Sequence, residues 1–172
     1  MTFWILKQLK KLIKILNSGQ TPAQIAGAVA LGALVGLVPA NTVYYILILL
    51  ITIIINVNLT SFFFSVALTS LISYLLDPIA NKIGYLLLID MTSLKPFWIF
   101  LYNLPVLPLI KINNTLSLGS MLIALILFIP IYIGIKKFVI AYRNGLKEKL
   151  EKTKLFKVLK ISKWLTKPII EK

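Results

Sequence analysis

The 62 residues from Ile15 to Leu76 carry no charged side chain and are dominated by Ile, Leu, Val, Phe and Ala. Ahead of them, Leu6, Leu9, Leu12, Ile13 and Leu16 fall on one side of a helix and Lys7, Lys10, Lys11 and Lys14 on the other. This spacing predicts a basic amphipathic helix in the membrane surface, with Trp4 at headgroup level and the lysines drawn to anionic lipid. Asn17, Ser18 and Gly19 end it. Thr21 and Pro22 then open a second helix, since Thr caps free amides and Pro at the first helical position loses no bond that mattered. It runs from Ala23 to Val38 and stops at Pro39. About 16 residues cover roughly 24 Å, less than a hydrocarbon core of about 30 Å, so the segment reads as a short span or one arm of a re-entrant hairpin.

Beyond the turn at Pro39, Ala40 and Asn41, a second short apolar run extends from Val43 to Ile55, and Asn56, Val57, Asn58 and Leu59 interrupt it. The third run, Thr60 to Leu76, carries Ser61, Ser65, Thr69, Ser70 and Ser73 as a polar stripe that should face other helices. Asp77 and Pro78 are expected to break the chain, leaving Ile79 to Ile89 as an amphipathic piece too short to span and Asp90 to Lys95 as a loop. Pro96 to Ile110, with internal prolines and several aromatics, has the profile of an interfacial or re-entrant segment. Leu116 to Ile135 is the clearest conventional span, kinked but not ended by Pro130. In the tail, Glu148 and Lys152 can pair across one turn, and Leu155, Val158, Leu159 and Trp164 give an apolar edge. That tail reads either as a helix on the cytoplasmic face or as a solvated segment that fixes topology.

Composition agrees with this pattern: 59% of residues are hydrophobic and mean hydropathy is +0.92, beyond what a water-soluble fold can bury. The expected fold is all-α, a polytopic integral membrane protein with short, Gly- and Pro-interrupted, partly re-entrant helices and basic amphipathic terminal helices. Its expected divisions are residues 1–19, the membrane domain 20–135 and the tail 136–172. The net charge of +14 suggests nucleic acid until its placement is considered. Four basic residues lie in the first 14 positions and twelve from Lys136 onward, with only Lys82, Lys95 and Lys111 between them. Basic flanks around apolar spans follow the positive-inside rule, so the bilayer and not nucleic acid is the expected partner. Both termini are then cytoplasmic and the number of crossings even, with four segments able to supply them. Phe3, Trp4, Ile5 and Leu6 precede the lysines, which is not the order of a secretory leader, and the chain is expected to be mature from Met1.

The run TPAQIAGAVALGALVGLVP, Thr21 to Pro39, followed by Asn58, Leu59 and Thr60 and then Asp77 to Leu86, resembles an uncharacterised bacterial membrane family, the domain of unknown function two-zero-six-two. That family's hallmark is P-x-x-x-A-x-G-x-A-x-G-x-x-x-G-x-x-P followed by N-x-T. The match falls on Pro22, Ala26, Ala28, Ala30, Gly32, Gly36 and Pro39, then on Asn58 and Thr60. Ala28 stands where the family often has glycine, and Leu59 replaces the usual proline. The resemblance, over roughly half the chain, implies an inner-membrane protein of bacteria with outer membranes, often encoded in a two-gene pair with a larger envelope partner. It supplies no catalytic residues.

The chain has no His and no Cys, which removes imidazole and thiol chemistry, and only Asp77 and Asp90 are acidic within the membrane domain. No cofactor, metal or catalytic residue is expected, and the protein is not expected to be an enzyme. Asp77 is the most notable single residue, because an ionisable group near membrane depth is costly and usually paired; Lys82 is the nearest candidate. Its structural alternative is a cap on a helix beginning at Pro78. Asn41, Asn56, Asn58 and Thr60 sit at segment ends where side-chain amides could converge with Asp77 on a polar ligand or ion, or could serve only as turn residues. Gly27, Gly32 and Gly36, with Pro39, form either an internal packing face or the groove for a partner's helix. The expected function is a non-catalytic inner-membrane subunit that anchors or gates a larger single-span envelope protein encoded nearby, in a complex moving phospholipid towards the outer membrane. A self-assembling holin-like pore and a small-solute transporter are the alternatives.

Overall fold

The computed structural model describes residues 15, 19–39, 42–105 and 107–146. The expectations for Trp4, Lys7, Lys10, Lys11, Lys14 and Asn41, and for the tail beyond residue 146, lie outside them. Among the described residues there is no strand. The elements are α1 (Pro22–Leu37), α2 (Thr42–Ile54), α3 (Leu59–Tyr85, continued by a π-helical turn Leu86–Asp90), a 3₁₀ turn Thr92–Leu94, α4 (Lys95–Tyr102), a 3₁₀ turn Leu107–Ile110, and α5 (Thr115–Ala141, continued by a π turn Tyr142–Leu146).

Each helix boundary has a local cause. At α1 the Thr21 hydroxyl accepts from the Gln24 amide at 3.2 Å, the Gln24 side chain accepts from the Thr21 amide at 2.9 Å, and Pro22 occupies the first turn. Val38 is extended, as the residue before Pro39 must be. Helix α2 ends in a Schellman motif: Asn56 takes φ 55°, its amide donates to Ile53 at 3.0 Å, and the Val57 amide reaches Thr52 at 3.4 Å. Asn58 caps α3, its side-chain oxygen accepting from Ser61 at 2.7 Å, and Asn114 caps α5 through Ser117 at 3.0 Å. Replacing Asn58 with Ala should cost about 1 kcal/mol, a fall of about 2–4 °C in the melting temperature in mild detergent, while Ser at the same place should restore most of it.

Helix α1 is the centre of the molecule. Its residues from Ala28 to Leu37 are buried except Val29, and Ala26, Ala28 and Ala30 are wholly so. The small side chains that lower its lateral bulk let two longer helices close on it. Helix α3 runs parallel to it: the Ser65 hydroxyl donates to the Val29 carbonyl at 2.7 Å, and a Cβ on Gly32 would come within 2.5 Å of the Phe62 carbonyl oxygen. One on Gly36 would overlap the Thr69 hydroxyl and come within 2.6 Å of the Val66 carbonyl oxygen. Helix α5 runs antiparallel to both, so that Val139 and Tyr142 at its end pack with Ile25 at the start of α1, joined by Ile15.

Between α1 and α3 the chain makes a hairpin. Helix α2 returns from the end of α1 to its beginning, where the Gln24 amide donates to the Asn56 carbonyl at 3.3 Å. Its two tyrosines hold it there: Tyr44 donates to the Leu34 carbonyl at 3.2 Å and Tyr45 to the Val38 carbonyl at 2.8 Å. These are carbonyls at the end of α1, where a helix runs out of its own donors. Ile48 and Leu49 pack inward on the core and Thr52 is wholly buried, while Ile46, Leu50, Ile53 and Ile54 face outward.

The expected break in the third run is absent. Asp77 and Pro78 do not break the chain; α3 passes straight through them. Pro78 deprives the Tyr74 carbonyl of its usual donor, but two turns of helix beyond it are fixed by close packing on α5. A Cβ on Gly84 would overlap the Thr115 carbonyl oxygen, and one on Gly119 would overlap that of Ala80. The two contacts are reciprocal, Ala80 and Gly84 on α3 meeting Gly119 and Thr115 on α5. With Pro130 likewise inside α5, the described residues include two continuous helical stretches long and apolar enough to cross a membrane, 59–90 and 115–144.

Candidate functional site

The candidate residues separate into two groups. Asn56, Asn58 and Thr60 lie where α2 gives way to α3, beside the start of α1. Asp77 is 17 residues beyond Thr60 on α3, about 26 Å away along the helix axis. They therefore form no common ligand site. Asn56 supplies a left-handed helix stop and Asn58 a cap, while Thr60 is exposed in the first turn of α3. Pro39 ends α1 at the tip of the hairpin. Gly32 and Gly36 are filled by α3, and a Cβ on Gly27 would stand 3.4 Å from Val57. That face is occupied within the chain.

Asp77 is not the cap of a helix starting at Pro78, since the helix is already formed there. Lys82 is not its partner: five residues apart on a helix places the two well round from one another, and among the described residues Asp77 has no ion pair. Instead Asp77 shares a face with Tyr74 and Asn81, three residues before it and four after. These three, with Pro78, Asn114, Thr115 and Leu116, line a cleft of about 460 Å³ between α3 and the start of α5. The Thr115 hydroxyl and the Asn81 side-chain oxygen are bonded at 2.5 Å, tying the two walls together. The half-buried carboxylate of Asp77 thus sits in a polar cleft just beyond the apolar stretch of α3 that ends at Leu76.

A second cleft of about 380 Å³ adjoins it. Its walls are Leu88 and Ile89 from the π turn of α3, Trp98, Ile99 and Tyr102 from α4, and Ile112 and Thr115 on the approach to α5. The Trp98 indole donates to the Leu87 carbonyl at 2.9 Å, which pins α4 across the end of α3. Thr115 lines both clefts. The cleft along Trp98 is half enclosed, while the one at Asp77 is shallow and open. Neither cleft is lined by a basic side chain. Among the described residues no group of three or more His, Cys, Asp or Glu is placed to hold a metal ion.

The sequence pattern singled out Asp77 but not Tyr74, Asn81, Asn114, Thr115 or Trp98. The helical spacing 74, 77, 81 is a signal only where the helix continues through Pro78, which the proline's local effect argues against. The pairing of Asn81 with Thr115 joins positions 34 apart in the chain and needs the fold to be seen.

Residues 7–146 match the family described as an uncharacterised protein conserved in bacteria, DUF2062. An uncharacterised protein of Treponema pallidum (strain Nichols) is 24% identical over 152 residues, covering 88% of this chain and 93% of that protein. No solved structure matches.

Proposed function

The chain belongs to this uncharacterised bacterial family, and on that premise we propose that it is a polytopic subunit of the bacterial inner membrane that anchors or gates a larger envelope complex, one moving phospholipid towards the outer membrane. Helices α3 and α5 cross the bilayer, α1 and α2 form a re-entrant hairpin, and both termini lie in the cytoplasm.

The observation that carries this reading is the exposure of the long helices. In their most apolar windows only 17% of residues in 59–90 and 22% in 115–144 are buried. A core helix of a soluble protein would be mostly covered. Large apolar side chains left outside, such as Leu71, Leu75, Ile126 and Ile129, have lipid as their natural surroundings. Lys136, Lys137 and Arg143 lie at the end of α5 that meets the start of α1, and the abundant lysines of the tail follow, so the positive-inside rule sets that end in the cytoplasm.

The subunit role is supported by how α2 is held. Two tyrosine hydroxyls, one glutamine amide and the inward packing of Ile48 and Leu49 hold its inner face, while Ile46, Leu50, Ile53 and Ile54 offer an apolar ridge to a partner's single membrane helix. The small-residue faces, in contrast, are spent on internal packing, which counts against self-assembly into a holin-like pore through them. Affinity capture of the chain from native membranes in mild detergent should recover the product of the adjacent gene in stoichiometric amount, and Ile46→Glu with Ile53→Glu should abolish the recovery. Recovery of homo-oligomers alone would overturn the reading.

A further inference from the structure

We propose that the half-enclosed cleft along Trp98 docks an uncharged aliphatic or aromatic stretch of the partner polypeptide, the stretch that follows the outer end of its single membrane helix. The inference rests on the membrane subunit reading above and adds a second contact, outside the bilayer, to the one on α2.

In that orientation the cleft stands in water. Leu88 lies 11 residues beyond Asp77, roughly 16 Å of helix, and the apolar stretch of α3 has already ended at Leu76. A headgroup layer adds only about 5–8 Å to each side of the hydrocarbon. Yet Ile89, Met91, Phe97, Ile99, Phe100 and Tyr102 are all exposed there, on elements drawn together by the bond from Trp98 to the Leu87 carbonyl. Single apolar residues on a wet surface need no account, but a group of six around a cleft marks an interaction site.

The lining favours uncharged polypeptide as the occupant. No Asp, Glu, Lys or Arg is among the residues of the cleft, whose apolar walls include Leu88, Ile89, Trp98, Ile99 and Ile112. A phospholipid would have to draw its chain out of the hydrocarbon, and its phosphate would meet no cation. At the rim Asn103 and Asn113 are exposed, and among the described residues neither side chain is hydrogen-bonded. Each carries the donor and acceptor pair that a polypeptide backbone matches. The cleft is also joined to the surface proposed for the partner's helix. Leu107–Ile110 packs on α2, with Ile110 buried in the same cluster as Val38 and Tyr44, and two residues farther on Ile112 forms the cleft wall. A helix lying on α2 and crossing the bilayer emerges at about the level of Asp77, roughly 16 Å below the cleft, a gap that about five extended residues cover.

The test places the photoreactive residue p-benzoylphenylalanine at Tyr102, on the cleft wall, in the full chain in native membranes, with the products identified by mass spectrometry. Irradiation should join it to the product of the adjacent gene, at an uncharged segment within about ten residues of the outer end of that protein's membrane helix. Ile99→Glu, at an exposed position of the cleft, should lower recovery of the partner about tenfold, the scale of losing one interface anchor, and Ile99→Leu should keep it. A crosslink to phospholipid, to a second copy of this chain or to a charged segment, no crosslink at all, or recovery unaffected by Ile99→Glu overturns the role of the cleft, while recovery that still depends on Ile46 and Ile53 leaves the subunit reading standing. If the product of the adjacent gene is never recovered, even with wild type, both readings fall.

Discussion

Gly119→Leu and Gly84→Leu should each destabilise the molecule severely, while Gly134→Leu should leave it nearly unchanged. All three are helical glycines in apolar surroundings, and a propensity argument would treat them alike. Their neighbours separate them. The first methyl added at Gly119 overlaps the Ala80 carbonyl oxygen, and at Gly84 the Thr115 carbonyl oxygen; at Gly134 nothing lies within 4 Å. The obstructing atoms are backbone, so no rotamer change relieves the overlap and α3 and α5 must move apart. That separation also exposes the packing of Ala80, Ser117 and Leu118, which are buried at the crossing. Overpacking of this kind costs about 3 kcal/mol or somewhat more, a fall of about 6–12 °C in melting temperature for a chain of this size. Thermal unfolding in detergent, followed by circular dichroism, checks it. Melting of Gly119→Leu within about 2 °C of wild type would mean that the two helices do not cross in this register.

The same crossing explains why the sequence was readable in some places and not in others. Helix ends were legible wherever the stop is written locally. Thr21 with Pro22 opens α1, Pro39 closes it, and the Asn56 to Asn58 interruption separates α2 from α3, because caps and left-handed stops involve residues within a few positions of one another. Pro78 misled because its effect is decided elsewhere. In isolation a proline costs a helix about 3 kcal/mol and reads as a break. Here Ala80 and Gly84, beyond the proline, lock onto Gly119 and Thr115 some 35 residues later in the chain, and the helix continues. The small-xxx-small pair Ala80 and Gly84 stands past that apparent end, whereas the equivalent pair Gly32 and Gly36 lies inside an uninterrupted apolar run. The candidate site suffered for the same reason. Asp77 stands out as a lone carboxylate after a long apolar run, but its companions Asn81 and Thr115 are ordinary residues until α3 and α5 are laid side by side. The asparagines at 56 and 58 were conspicuous for the opposite reason: stops and caps favour Asn, and both are engaged in that task.

Cysteine labelling should divide the chain sharply, and the absence of native cysteine makes the experiment clean. Ser93→Cys, in the turn between the π end of α3 and α4, should react with a membrane-impermeant maleimide added outside spheroplasts. Asn144→Cys, in the turn that ends α5, should react only after the membrane is permeabilised. Pro39→Cys decides the nature of the hairpin. The tip lies three residues beyond Gly36, which meets Val66, Thr69 and Ser70 on α3, so it reaches about the level of Leu71 or Ile72 and not that of Asp77. Five or six residues of α3 remain between it and Asp77, roughly 8 Å of helix. An α1 of 16 residues, about 24 Å long, is short of a hydrocarbon core of about 30 Å by a similar order. A re-entrant hairpin therefore predicts that Pro39→Cys stays unlabelled from outside in intact spheroplasts, whereas two full crossings would bring it to the outer surface and label it as readily as Ser93→Cys. Labelling of Asn144→Cys from outside would reverse the proposed orientation. A hairpin that enters and leaves on the cytoplasmic side leaves a wedge of bilayer above its tip, bounded on one side by α3 and α5. On that argument the position of residue 39 determines whether α2 faces a partner helix within half the bilayer or through all of it.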